Sequence, residues 1–204
     1  MQTLKLYIIN LDSGFSHKKA LLKEINAEQK EKALAFKNEN DQMRSLLSSY
    51  LKNQLSNESL NKNEMGKTFY LNGPHFNISH SGKYVVMAVA DNNVGVDIEE
   101  IIEKNFDMLL RLFNEAEVKM IKEHADFYYL WCAKESLIKC IGTSVSKIKD
   151  IPGLPLNGLK TYKGVDYQCQ ALIYDKHIIS ITREGNEPFE IKTEIINKLP
   201  YTIK

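Results

Sequence analysis

The stretch Asn77-Ile78-Ser79-His80-Ser81-Gly82-Lys83-Tyr84-Val85-Val86-Met87-Ala88-Val89-Ala90 joins two unlike pieces. Its first six residues are as polar as a ligand loop. Tyr84–Ala90 is as apolar as a strand covered on both faces. Two readings account for the junction. In one, Ser81-Gly82 is an ordinary turn at a strand entry, and the hydroxyls bond their own backbone. In the other, a hydroxyl-imidazole-hydroxyl set is held at the mouth of a core strand to meet a ligand. The rest of the chain has to decide between them.

Working outward, Tyr84–Ala90 and Val94–Ile98 read as a hairpin joined by Asp91-Asn92-Asn93. On the N-terminal side, Leu4–Ile9 reads as a first strand, and residues 27–37 read as a helix capped by Asn26. Met43, Leu46, Leu47, Tyr50, Leu51 and Leu55 recur at spacings of three and four, which predicts an amphipathic helix over Asp41–Leu55. A polar linker, residues 56–64, leads to Gly66-Lys67-Thr68 and the turn Asn72-Gly73-Pro74. Beyond residue 100, Met108, Leu109, Leu112, Phe113, Val118 and Ile121 suggest a helix over about 105–123. Phe127–Ile141 is a strong helix ended by Gly142. Val165, Tyr167, Cys169, Ala171 and Ile173 alternate as a half-buried strand does, and strands follow at 177–182 and 189–195. This order predicts an α+β fold of two similar halves, residues 1–100 and 101–204.

Composition restricts the function classes. Lys plus Arg number 27 against 26 for Asp plus Glu, a net charge of +1, so no general attraction to nucleic acid or an anionic membrane follows. Any anion site must be local. No apolar run approaches the roughly 20 residues of a membrane span, and Met1-Gln2-Thr3-Leu4-Lys5 lacks a signal-peptide pattern. Cys132, Cys140 and Cys169 are an odd number without metal-site spacing, as expected of thiols in a reducing compartment. The expectation is a cytoplasmic protein.

Two further segments carry charge in patterns that need explaining. In Val94-Gly95-Val96-Asp97-Ile98-Glu99-Glu100, strand alternation puts Asp97 and Glu99 on one face, about 6.6 Å apart. Either a cation lies between these carboxylates or that face is in water; a cation held by such hard oxygens would be magnesium or manganese. In Trp131-Cys132-Ala133-Lys134-Glu135-Ser136-Leu137-Ile138-Lys139, the residues Trp131, Glu135 and Lys139 form one stripe at i, i+4 and i+8. That stripe is either an exposed Glu-Lys pair beside a packed Trp or a third carboxylate and a cation for a phosphate ligand. Lys134 reads as a solvated neighbour. Together, the hydroxyl-imidazole segment, the two-carboxylate strand and the Glu-Lys helix suit a metal-bound phosphate ligand.

Phe76-Asn77-Ile78-Ser79-His80-Ser81, Gly95-Val96-Asp97-Ile98-Glu99 and Trp131–Lys139, in that order, resemble the three signature motifs of the 4′-phosphopantetheinyl transferases, and most closely the larger, surfactin-synthetase-activating type. Gln29-Lys30-Glu31-Lys32 with Asp41 and Arg44, and Gly66-Lys67, resemble that family's CoA-contacting stretch and loop. The resemblance covers roughly residues 26–142. It implies two pseudo-symmetric halves with CoA and Mg2+ (or Mn2+) in the cleft between them. Asp97, Glu99 and Glu135 would hold the metal. Lys139 and His80 would meet the CoA pyrophosphate with Ser79 close by, Lys32 and Arg44 the 3′-phosphate, and Lys67 the nucleotide. Glu135 would be the general base, directly or through a water, with His80 as the alternative. The partner would be an apo acyl- or peptidyl-carrier protein docking on residues 101–126 of a monomer, where Met108, Leu109 and Phe113 would be partly exposed. Gln29, where the family often has a basic residue, and Thr68, in place of the usual proline, depart from the pattern. A metal-dependent phosphohydrolase and a non-catalytic CoA- or carrier-binding module are the competing classes.

Overall fold

The computed structural model describes residues 2–203. A first strand, β1 (Gln2–Asn10), leads into short helices α1 (Leu11–Ser16) and α2 (Lys18–Leu21). The helical hairpin α3 (Ala27–Leu34) and α4 (Glu39–Leu55) follows. Next come the small strands β2 (Asn61–Lys62) and β3 (Thr68–Phe69), then β4 (His75–Ser81), β5 (Tyr84–Ala90) and β6 (Val94–Glu100). The chain continues through α5 (Asp107–Leu110), α6 (Glu115–Met120), α7 (His124–Ile141) and a 3-10 turn at Val145–Asp150. It ends in β7 (Gly158–Tyr162), β8 (Val165–Tyr174), β9 (His177–Glu184) and β10 (Phe189–Ile196). The fold is α+β, as expected. One four-stranded sheet has the order β10-β1-β5-β4 and the other β6-β9-β8-β7.

The apolar run of β5 has a direct cause. Val85 and Met87 pack with Tyr7 and Ile9 against Met43, Leu46, Leu47 and Tyr50 of α4. The alternate residues Val86 and Ala88, with Leu4, Leu6 and Ile8, pack against Val96, Ile98, Ile179 and Ile181 of the second sheet. The strand is therefore covered on both faces and has no position for a polar side chain. Each large side chain so buried contributes roughly 1.5–3 kcal/mol. The far side of the second sheet is covered by α7, whose contact with β6 is unusually close. A Cβ on Gly95 would fall 2.0 Å from the Ser136 carbonyl oxygen and 2.3 Å from the Cys140 nitrogen. Only glycine allows that approach.

Several expectations are corrected. Tyr84–Ala90 and Val94–Ile98 are consecutive but not a hairpin: β5 pairs with β1 and β4, and β6 pairs with β9. The Asp91-Asn92-Asn93 link carries the chain from one sheet to the other. Sheet membership also departs from a division at residue 100, since Val94–Glu100 belongs to the second sheet and β10 returns to lie parallel to β1 in the first. The single helix expected over 105–123 is two. Asn114 accepts from the Glu117 backbone N–H and donates its own backbone N–H to the Glu117 carboxylate, and this capping box starts a new helix. Residues 77–81 are strand rather than loop; the turn is Gly82-Lys83, with Gly82 at φ +51°.

Candidate active site

Strand β4 is the edge of the first sheet, and its alternation sorts the polar segment. Asn77, Ser79 and Ser81 face β6, while Phe76, Ile78 and His80 occupy the alternate positions. Asn77 Oδ1 accepts from the Val96 backbone N–H at 2.9 Å. Ser79 Oγ donates to Asp97 Oδ1 at 2.9 Å. Ser81 Oγ donates to Glu99 Oε2 at 3.0 Å and accepts from the Glu100 backbone N–H at 3.1 Å. These side chains bond neither their own backbone nor open space. They join the edge of one sheet to the edge of the other, and in doing so they orient both carboxylates.

From the opposite side, α7 brings Lys139 to the same place. Its ammonium donates to Asp97 Oδ1 at 2.6 Å and to Ser79 Oγ at 2.9 Å. Glu135 lies one turn earlier, 8% exposed. The cluster holds more negative charge than it neutralises. Burial and then the Asp97 charge push Glu135 up to about 7, with Glu99 adding to the rise and Lys139 opposing it. Burial and Asp97 also raise Glu99, against its bond from Ser81. Burial opposes the Lys139 charge, but Asp97 more than offsets this and holds the amine above its ordinary value.

Asp97 Oδ2 is buried with no hydrogen-bond partner, a state that a folded chain rarely leaves uncompensated. Asp97, Glu99 and Glu135 offer hard oxygens of the kind that suit a divalent cation of the magnesium type. Among the described residues, however, no three acidic, imidazole or thiol side chains stand close enough to enclose an ion. The Lys139 ammonium is the charge that neutralises Asp97 here.

His80 lies across β4 from Ser79. Burial and the neighbouring Arg44 and Lys139 charges hold its imidazole below its ordinary value. Arg44 pairs with Asp41 at 2.7 Å, donates to the Gly82 carbonyl, and keeps a buried Nε without a partner. Lys67 donates to the carbonyls of Cys140 (2.7 Å) and Val94 (3.3 Å), and Asn63 Nδ2 donates to that of Gly142 (2.9 Å). The 61–69 segment thus caps the C-terminal end of α7. Lys32 does not join the carboxylate cluster; it lines a separate cleft of about 1140 Å3 between α3, α4 and the β2–β3 segment.

The structure reverses the reading of Lys134. It is fully buried, paired with Glu117 at 3.0 Å, and donates to the carbonyls of Ile148 and Ile151. Glu117 accepts in turn from the Gly153 backbone N–H at 2.7 Å. Sequence reasoning missed this pair because Glu117 and Lys134 lie on different helices. Phe113, expected to be partly exposed, is buried against Phe127, whereas Met108 is 72% exposed.

Lys139 and Asp97 are in direct contact, with Glu99 and Glu135 close enough to feel the Asp97 charge and His80 close enough to feel those of Arg44 and Lys139. Comparison narrows the class. The 4′-phosphopantetheinyl transferase superfamily profile matches residues 93–169, the span from β6 through α7 to β8. The chain is 30% identical over 193 residues to the 4′-phosphopantetheinyl transferase Sfp of Bacillus subtilis, covering 85% of this chain and 83% of that one. It is 34% identical over 162 residues to the transferase ffp of Bacillus subtilis (70% and 72%) and 32% identical over 168 residues to gsp of Aneurinibacillus migulanus (75% and 67%). The chain belongs to the 4′-phosphopantetheinyl transferases, enzymes that move phosphopantetheine from coenzyme A to carrier proteins. No helix among the described residues is long and apolar enough to cross a membrane.

Proposed function

We propose that the cluster around Asp97 carries out a magnesium-dependent transfer of 4′-phosphopantetheine from CoA to a serine of an apo acyl- or peptidyl-carrier protein. The observation that carries this reading is the shared bonding of Ser79, Asp97 and Lys139, with Asp97 Oδ2 buried and left unpartnered. Asp97, Glu99 and Glu135 would hold magnesium, or manganese, which supplies charge neutralisation at the pyrophosphate when bound. Lys139 and His80 bind the pyrophosphate, and Ser79 fixes Lys139 beside it. Lys32 and Arg44 serve the 3′-phosphate end, and Lys67 borders the nucleotide while keeping its carbonyl acceptors. The serine oxygen forms a bond to the β-phosphorus, the bond to the departing 3′,5′-ADP breaks, and the hydroxyl proton passes to Glu135 directly or through a water. His80 is the alternative acceptor.

The test is mass spectrometry of candidate apo-carriers incubated with the protein, CoA and magnesium. A gain of one phosphopantetheine unit on the carrier is the expected result. Free phosphopantetheine with an unmodified carrier would identify a hydrolase instead.

The carrier is proposed to dock on residues 101–126 of a monomer, between the metal strand and α7. Met108 is the suitable probe because it is exposed. Met108→Glu is expected to lower kcat/KM for the carrier about tenfold, leaving the KM for CoA and the melting temperature unchanged. A variant that modifies the carrier at the wild-type rate removes this segment from the interface. Phe113→Glu is no substitute, since a charge in its buried position would unfold the region.

A further inference from the structure

On α7, Trp131, Glu135 and Lys139 are each followed by a buried residue that bonds to the second sheet or to the chain entering it: Cys132, Ser136 and Cys140. The two thiols make weak bonds, Cys132 Sγ to the Ile178 carbonyl at 3.6 Å and Cys140 Sγ to the Asn93 carbonyl at 3.3 Å. Ser136 makes the stronger ones. Its Oγ lies 2.8 Å from Thr182 Oγ1 and 3.1 Å from Ser180 Oγ, and it donates to the Ala133 carbonyl at 3.2 Å. With the Ser136 proton used in that way, Ser180 and Thr182 are the donors, and both lone pairs of Ser136 Oγ are filled. All three residues are 0% exposed, so these hydroxyls have no water to bond instead.

Ser180 and Thr182 lie on β9, in register with Asp97 and Gly95 of β6. Residues directly opposite on paired strands share a face, so both hydroxyls point the way Asp97 does, towards α7. Gly95 sets how closely the helix approaches the sheet. Where along the sheet the helix stops is a separate matter. Apolar burial is non-directional and leaves that open, whereas hydrogen bonds weaken steeply as distance and angle change. Burial alone does not call for hydroxyls here, since aliphatic side chains of the same shape would cover the helix as well. The demand for register comes from the site. Lys139 has to meet Asp97 Oδ1 at 2.6 Å, and Glu135 is the immediate neighbour of Ser136.

We infer that Ser180 and Thr182 are positioning residues for the transfer: by hydrogen-bonding Ser136 they fix the register of α7 on the second sheet, and so hold Glu135 and Lys139 against Asp97. This rests on the proposed roles of Glu135 and Lys139. Neither β9 hydroxyl touches substrate. A small displacement of α7 leaves the Lys139 charge near the pyrophosphate, so ground-state binding survives. Charge stabilisation in the transition state depends on exact placement and does not.

The experiment measures carrier modification by the wild-type, Thr182→Val and Thr182→Ser proteins well below their melting temperatures. Thr182→Val keeps the shape and removes the hydroxyl; Thr182→Ser keeps the hydroxyl and removes a methyl group. Thr182→Val is expected to lower kcat about tenfold, to change the KM for CoA by less than twofold, and to melt within a few degrees of wild type. Thr182→Ser should keep kcat within about twofold of wild type, although the gap it leaves lowers its melting temperature. A hydroxyl with a purely structural role gives no kcat loss in a folded Thr182→Val protein. A wild-type kcat in Thr182→Val, or an equal loss in Thr182→Ser, therefore overturns the inference. Should Thr182→Val not fold, Ser180→Ala makes the same comparison, with an expected kcat loss of about fivefold at unchanged KM; an unchanged kcat there overturns it equally. If the wild-type protein modifies no carrier, the transferase reading fails; if it does and these variants match it in kcat, only the positioning role fails.

Discussion

Asp97→Ala is expected to abolish transfer, with a fall in kcat/KM of at least a hundredfold that raised magnesium does not restore, while the protein melts within a few degrees of wild type. Asp97 is the hub of the cluster. Its Oδ1 takes both the Ser79 hydroxyl and the Lys139 ammonium, and its charge is the leading electrostatic cause of the raised Glu135 and Glu99 carboxyls. Removing it frees Lys139 from the position it holds beside the proposed pyrophosphate. It also removes one of three proposed metal ligands and lets Glu135 fall from about 7 towards its ordinary value. That fall would leave Glu135 more fully ionised at neutral pH, so the loss of activity cannot be ascribed to a protonated carboxyl. Folding should survive because Lys139, the partner left behind, keeps access to solvent. Asp97→Asn separates charge from shape, since the amide oxygen can still accept from Ser79. It should be nearly as inactive as Asp97→Ala, and steady-state kinetics at saturating magnesium decide the matter. Turnover near wild type in either variant would remove the metal assignment.

How far such an argument can be built from sequence depends on what fixes each residue. The strand and helix positions of the site were legible because strand alternation put Asp97 with Glu99 and helical spacing put Glu135 with Lys139. The pairing of those elements was not. The tight link between β5 and β6 looks like a hairpin locally, and only the second sheet's need to bury Val94, Val96 and Ile98 against Ile179 and Ile181 pulls β6 away. That choice is tertiary and leaves no local mark. The polar residues of β4 offered a signal that was read too narrowly. Asn77, Ser79 and Ser81 recur with period two, the mark of one strand face, and a polar face on a strand beside a fully apolar one is what an inter-sheet seam requires. Lys32 and Arg44 were grouped by resemblance, and the structure separates their surroundings: one lines a lysine-rich cleft, and the other is tied to Asp41 and Gly82.

The buried Lys134–Glu117 pair should dominate the stability of the second sheet's helical cover. Lys134→Ala would leave the Glu117 carboxylate without its cation at a position 1% exposed, together with two carbonyls, those of Ile148 and Ile151, that have lost a donor. Breaking such a pair by deleting one partner costs about 3–5 kcal/mol, because the remaining charge stays desolvated. For a chain of this size that corresponds to a fall in melting temperature of roughly 6–20 °C. The pair also fixes local geometry. Glu117 holds the Asn114 and Gly153 backbone N–H groups, so α6, α7 and the 151–154 segment meet at one carboxylate. Glu117→Gln combined with Lys134→Met removes both charges, keeps an oxygen for one of the two N–H groups and fills the volume of the lysine stem. The double variant is therefore expected to melt well above Lys134→Ala. Thermal denaturation of the two variants against wild type provides the check. If Lys134→Ala melts within a degree or two of wild type, the pair contributes no net stability; if the double variant melts no higher than Lys134→Ala, the penalty lies in the Ile148 and Ile151 carbonyls left without a donor rather than in the unpaired carboxylate.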